Sequence, residues 1–206
     1  MHPDICQFIS DAVYDGRLYA EAKTARQRLV LDPNSDPEAL AATGIRFVSV
    51  DHSGCAQKSS TEAARLKQTY EALIGRRWMD EDLVERVIGT DDILVVSPYN
   101  MQVNLLQSTL PPGGRVGTVD KFQGQEAAVV LISMTTSSGE DLPRQIEFLY
   151  SRNRLNVAIS RARCLAVIFA NPRLLEVSCT TIEQMRLVNT LCWVKDYSDE
   201  LLRRAA

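Results

Sequence analysis

Three runs of this chain are almost wholly apolar: the ILVV of DILVVSPYN (92–100), AAVVLISM (127–134) and CLAVIFA (164–170). None approaches the ~18 apolar residues that would cross a bilayer. Short continuous apolar runs of this kind read as strands covered on both faces, which is the habit of parallel sheets. IRFVSVDH (45–52) and RVGTV (115–119) add two more strands. Helical segments separate them. SSTEAARLKQTYEALIGRR (59–77) offers Ser59 or Ser60 as an N-cap and Gly75 near its end. NMQVNLLQSTL (100–110) carries Met101, Leu105 and Leu106 at helical spacing, and RNRLNVAISRAR (152–163) and TIEQMRLVNTLCWVKDY (181–197) follow. Strands alternating with helices predict a three-layer α/β domain with a mainly parallel sheet.

The 206 residues suit one domain, taken here as residues 45–206, with residues 1–44 as a peripheral helix and loop arm. MHPDICQFISDAVYDGRL opens that arm with Ile5, Phe8, Ile9 and Val13 at helical spacing, and DPNSDPE (32–38) marks a turn. A composition of 45% hydrophobic and 24% charged residues excludes a disordered or membrane-embedded chain. No secretory leader opens the sequence. Five cysteines with no C-x-x-C pair, and only two histidines, argue against a zinc site and for reduced thiols in the cytoplasm.

A net charge of −3 does not suit a protein that coats nucleic acid by bulk electrostatics. The distribution is more informative. No acidic residue lies between Glu147 and Glu176, while Arg152, Arg154, Arg161, Arg163 and Arg173 all do. Such a local excess fits a confined anion site.

In α/β sheets ligands gather at the carboxyl ends of strands, and three chemically loaded segments are expected there. SPYNMQ (97–102) sets Ser97, Pro98, Tyr99 and Asn100 at a helix start, either as turn chemistry or as phosphate donors with Tyr99 stacking on a base. TVDKFQGQE (118–126) places Gly124 between Gln123 and Gln125, ahead of Glu126. It reads either as a polar loop or as a loop that meets a phosphate or a sugar. In the arginine segment Arg154 and Arg161 are seven residues apart, on nearly one helix face and roughly 10 Å along the axis. A guanidinium cannot shed its charge, so Arg161 near a core needs an anion partner: Glu126, another carboxylate or a nucleotide phosphate.

In order, ILVVSPYN, TVDKFQGQE and NRLNVAISRAR resemble motifs IV, V and VI of superfamily 1 DNA and RNA helicases, most closely the branch that moves 5′ to 3′. MHPDICQFISDAVYDGRL is similar to the segment following that branch's YRMHP signature, and the tail more loosely resembles bacterial fusions of a RecB-like nuclease to such a helicase. The resemblance implies a RecA-like second motor domain. ATP and Mg2+ would bind jointly with an N-terminal motor domain of the same parent protein. Arg161 takes the position of the arginine finger, and Arg154 that of a second cation in the same cleft. Gln123, Gly124 and Glu126 would border the nucleotide. Ser97, Pro98, Tyr99, Asn100 and Thr118 would line a track for single-stranded DNA or RNA.

The chain departs from a complete motor. It contains no G-x-x-x-x-G-K-[ST] loop to cradle phosphates, and the DED at 80–82 follows no apolar strand. The expectation is a truncated piece, inactive as an ATPase by itself. The alternative is a non-catalytic nucleic-acid-binding or adaptor module with a helicase-like fold.

Overall fold

A strand with no polar side chain is stable only where both of its faces meet other elements, and the chain supplies those elements between its strands. The computed structural model describes residues 1–32, 39–142 and 146–205. The expected turn at 32–38 lies, from residue 33 on, outside the described residues. In chain order the elements are α1 (Pro3–Val13), β1 (Arg28–Val30), β2 (Gly44–Ser49), α2 (Ser60–Leu73), β3 (Arg77–Met79) and β4 (Glu85–Val87). There follow β5 (Ile93–Val96), α3 (Asn100–Thr109), β6 (Arg115–Gly117), β7 (Ala127–Ser133), α4 (Ile146–Leu149), α5 (Arg152–Ser160), β8 (Ala162–Ala170) and α6 (Ile182–Ala205). Five strands form one parallel sheet in the order β2-β8-β7-β5-β6. A second, antiparallel sheet joins β1, β3 and β4.

Strand alternation divides the core in two. Along β8, Ala166, Ile168 and Ala170 face a layer built from α1, α4, α5 and α6. Leu165, Val167 and Phe169 face the layer of α2, α3 and the small sheet. The result is an α/β fold whose five-stranded parallel sheet is flanked by helices on both faces, consistent with a RecA-like domain of the P-loop NTPase type.

Two sequence expectations change. The first helix is not peripheral: Ile5, Phe8, Ile9 and Ala12 belong to the same apolar cluster as Ile45, Val130 and Ile159. Phe8 is 2% exposed and its ring lies 5.5 Å from both Trp193 and Tyr197 on α6. The arginine helix also ends early, at Ser160, so that Arg161 is its C-cap and Arg163 already belongs to β8. The apolar continuation Ala162–Ala170 draws that stretch into the centre of the sheet.

The edge strand β2 is closed by α6, where the Ser198 hydroxyl accepts the Phe47 N–H at 2.9 Å. Gly44 starts β2 at φ +93°, and a Cβ there would stand 2.6 Å from the Leu201 side chain. Both its conformation and its space require glycine. Phe8→Ala is expected to cost about 3–5 kcal/mol in urea unfolding. Tyr19→Ala, at an 84% exposed position of the same N-terminal segment, should change stability by no more than about 0.5 kcal/mol.

Candidate functional site

In a parallel sheet every connection must return from the carboxyl edge to the amino edge, and two connections here carry the motif residues. The segment after β6 leaves Thr118 and Asp120 at the carboxyl edge. It then doubles back alongside its own strand, the Lys121 Nζ donating to the Val116 carbonyl at 2.8 Å. By Gln125 it has reached the amino edge, where Arg115, the first residue of β6, donates to Gln125 Oε1 at 2.6 Å. Gln123 and Gly124 form the exposed bend between, Gly124 at φ +77° with open space around it. Helix α5 makes the same journey, with Arg154 near its start and Arg161 at its end. The motif residues therefore occupy both edges. All three segments begin at the carboxyl edge, and two of them run on to the amino edge.

The carboxyl-edge site is a cleft of about 290 Å³ lined by Pro98, Asn100, Thr118, Asp120, Phe148 and Arg154, among others. Arg154 lies here, apart from Arg161, which corrects their placement in one cleft. Its guanidinium carbon stands 4.2 Å from the centre of the Phe148 ring, and Phe148 in turn packs 5.5 Å from Tyr99. A cation over an aromatic face is attracted by the ring quadrupole without losing its hydrogen-bonding edge. Tyr99 also lines the cleft, although it is only 3% exposed and its ring packs against Phe148. Ser97, by contrast, is fully buried, does not line the cleft and is bonded to Thr135, 3.2 Å away. Gln57 lines the same cleft from the loop before α2, and no motif signalled it.

The floor beneath the cleft is a buried polar network that sequence reasoning missed. Ser59 and Glu62 have the S-x-x-E spacing of a capping box. The Ser59 hydroxyl does accept the Glu62 N–H at 3.2 Å. The reciprocal bond is made by another residue: Gln102 Oε1 accepts the Ser59 N–H at 2.8 Å. The Glu62 carboxylate is thereby released into the sheet. Its Oε2 accepts from the Ser133 hydroxyl at 2.6 Å and the Thr135 N–H at 2.8 Å, and its Oε1 lies 3.0 Å from His52 Nε2. His52 Nδ1 lies 2.7 Å from the Ser137 hydroxyl, which accepts the Cys55 N–H at 2.9 Å. Donors and acceptors alternate throughout when His52 carries its proton on Nε2. Thr135 needs this anchor because it sits at φ +77°, a conformation that a β-branched residue adopts only at a cost.

The amino-edge site is built around the end of α5. Arg161 Nε donates to the Val157 carbonyl at 3.1 Å, which suits a cation at the negative end of a helix. Its terminal nitrogens have no partner among the described residues. The neighbouring Glu126 pairs instead with Arg163, at 3.3 Å, at the point where the β7–β8 register slips between Ala127 and Val129. Arg163 also anchors the chain start, its carbonyl accepting the His2 N–H at 2.8 Å. Beside this pair opens a cavity of about 510 Å³ that reaches Trp78 on the small sheet and Gln27 just before β1.

A family profile described as an AAA domain matches residues 1–173. The chain is 32% identical, over 79% of its length, to the DNA polymerase alpha-associated DNA helicase A of Schizosaccharomyces pombe, covering 25% of that protein. It is 29% identical, over 84% of its length, to the DNA-binding protein SMUBP-2 of Mesocricetus auratus, covering 17% of it. It is 30% identical, over 85% of its length, to the Regulator of nonsense transcripts 1 homolog of Neurospora crassa, covering 16% of it. The chain thus spans a quarter or less of the length of these relatives.

Removing the Glu62 carboxylate leaves Thr135 unanchored and His52 without its acceptor. Glu62→Ala is expected to cost about 3–5 kcal/mol in urea unfolding. Glu126→Ala, which breaks an exposed pair, should cost less than about 1 kcal/mol.

Proposed function

The chain belongs to the AAA-domain family and is a helicase-family domain, and we propose that it serves as the second motor domain of an ATP-dependent helicase. What supports this reading is the course of two segments, 118–126 and 154–161. Each starts in the carboxyl-edge cleft and ends at the amino edge, so each contributes to both sites. A motor needs such a link, because hydrolysis at one site must alter the grip at another.

The amino edge is the nucleotide side in this reading. ATP with its Mg2+ supplies, when bound, the phosphoryl group whose transfer to water releases the driving energy. Arg161 is the arginine finger. Its Nε is engaged by the helix end, which fixes the guanidinium plane, and its outer N–H groups face charge accumulating on the γ-phosphoryl oxygens. Gly124 and Glu126 border the nucleotide, with Gln123 on the exposed bend. In this reading the metal's ligands and the phosphate-binding loop are assigned to a first motor domain of a longer protein.

The carboxyl edge is the single-strand side. Asn100, Thr118 and Gln57 present amide and hydroxyl groups, Pro98 shapes the wall, and Arg154 supplies the cation for a backbone phosphate. Arg154 thus moves from the nucleotide to the track.

In the longer protein Arg161→Ala should lower kcat roughly 10³-fold or more while nucleotide binding is largely kept. Turnover close to that of the unmodified protein would remove the finger from Arg161 and the motor reading with it. For the track, single-strand binding is measured by fluorescence polarisation of a labelled oligothymidylate across a salt series. Arg154→Ala should reduce the slope of log affinity against log salt by about 0.7, the contribution of one phosphate contact. An unchanged slope would assign Arg154 to structure alone.

A further inference from the structure

The carboxyl-edge cleft holds one group that a track for phosphates leaves unexplained. Asp120 lines it, on the short turn that leaves β6, and its carboxylate has no partner among the described residues. Arg154 lines the same cleft, yet no ion pair joins the two, and the only contact of its guanidinium there is the Phe148 ring.

The polar side chains of the cleft differ in what they can accept from a ligand. Arg154 only donates. The Gln57 and Asn100 amides and the Thr118 hydroxyl both donate and accept, so they adapt to either kind of ligand atom. An ionised carboxylate only accepts, and it repels a phosphate placed against it. A strand entering the cleft displaces the water that solvates Asp120, and that hydration has to be replaced by a donor on an uncharged group. Within one cleft of about 290 Å³, Arg154 therefore asks for an anion and Asp120 for a neutral donor.

A strand gripped without regard to its sequence must answer both demands at every step. Phosphodiester and deoxyribose oxygens only accept. Every base carries donors, but at positions that change from one base to the next. The donor that recurs in one place at every step is the ribose 2′-hydroxyl, attached to the sugar beside each phosphate.

Resting on the single-strand reading of this cleft, we infer that the track selects RNA over DNA, with the Asp120 carboxylate accepting the 2′-hydroxyl of a nucleotide beside the phosphate held by Arg154. A deoxyribose in the same place leaves the carboxylate dehydrated and unpaired.

The test compares fluorescein-labelled oligouridylate, oligodeoxyuridylate and 2′-O-methyl oligouridylate by polarisation at matched salt. The three share bases and phosphates and differ at the 2′ position. The methyl ether keeps the oxygen and removes the donor. Oligouridylate is expected to bind about tenfold more tightly than the other two, the loss that follows from one hydrogen bond to a charged group. Asp120→Ala should bring oligouridylate down to the level of oligodeoxyuridylate, and should leave the deoxy strand's affinity unchanged or raised as a negative charge leaves the cleft. Equal affinity for the ribose and deoxyribose strands would overturn the inference. So would a methyl ether that binds as tightly as the free hydroxyl, or a ribose preference that survives in Asp120→Ala. Each of these results leaves the single-strand side in place as long as binding still weakens with salt and with Arg154→Ala. Absence of salt-dependent binding by all three strands removes that side, and the inference with it.

Discussion

A parallel sheet buried on both faces forces every connection to cross from one edge of the sheet to the other, and the organisation of this molecule follows from that constraint. The strands that impose it are the most apolar stretches of the chain, and side chains of β5, β7 and β8 supply core residues to both layers. Connections cannot pass through such a sheet, so they run along its faces and place their two ends at opposite edges. Helix α5 turns this into chemistry by carrying one arginine near each end. The segment after β6 does so with almost no regular structure, held to its own strand by the Lys121 bond to the Val116 carbonyl.

The carboxyl edge carries a further demand, because strand ends expose backbone groups where the covering helices stop. Glu62 meets it. A single carboxylate reaches from the first turn of α2 to the end of β7, and through His52 and Ser137 to the loop that follows β2. Burial makes each of these bonds stronger and each missing one more costly. The network therefore fixes the cleft floor as a unit. It also explains why Thr135 tolerates a left-handed backbone directly beneath the cleft: the N–H that conformation exposes is held by a charge.

Much of this was legible in the sequence, and the misses have physical reasons. β5, β7 and β8 announce themselves because a fully buried strand has no polar side to disguise it. The end of α5 does not, since Arg161, Ala162 and Arg163 continue a helical spacing and no glycine marks the C-cap. Only tertiary pairing of Ala162 with Ala127 decides that the strand has begun. Pro98, Asn100 and Thr118 follow strands in the sequence and line the carboxyl-edge cleft. Ser97, from the same segment, turned inward, because a residue's direction at a strand end depends on register that sequence does not display. Glu62 was hidden by a capping-box spacing that accounts for it locally, and the role of Gln102 in releasing it is a contact across 43 positions of the chain.

The arginines separate into two kinds by what holds them, and this distinction carries more weight than their number. Arg86, Arg115 and Arg163 end on Asp80, on Gln125 and the Asp91 carbonyl, and on Glu126, so their donors are directed into the fold. Arg154 and Arg161 are held by groups that orient a guanidinium without a carboxylate: a ring face in one case, a helix-terminal carbonyl in the other. A π face and a partial dipole attract a cation less strongly than a carboxylate does, so the field beyond the guanidinium stays positive. In the proposed reading, on a chain of net charge −3, these two positions offer an incoming anion an oriented charge that no carboxylate neutralises among the described residues. They stand at the two ends of one nine-residue helix, so movement of α5 as a rigid body shifts both charges together.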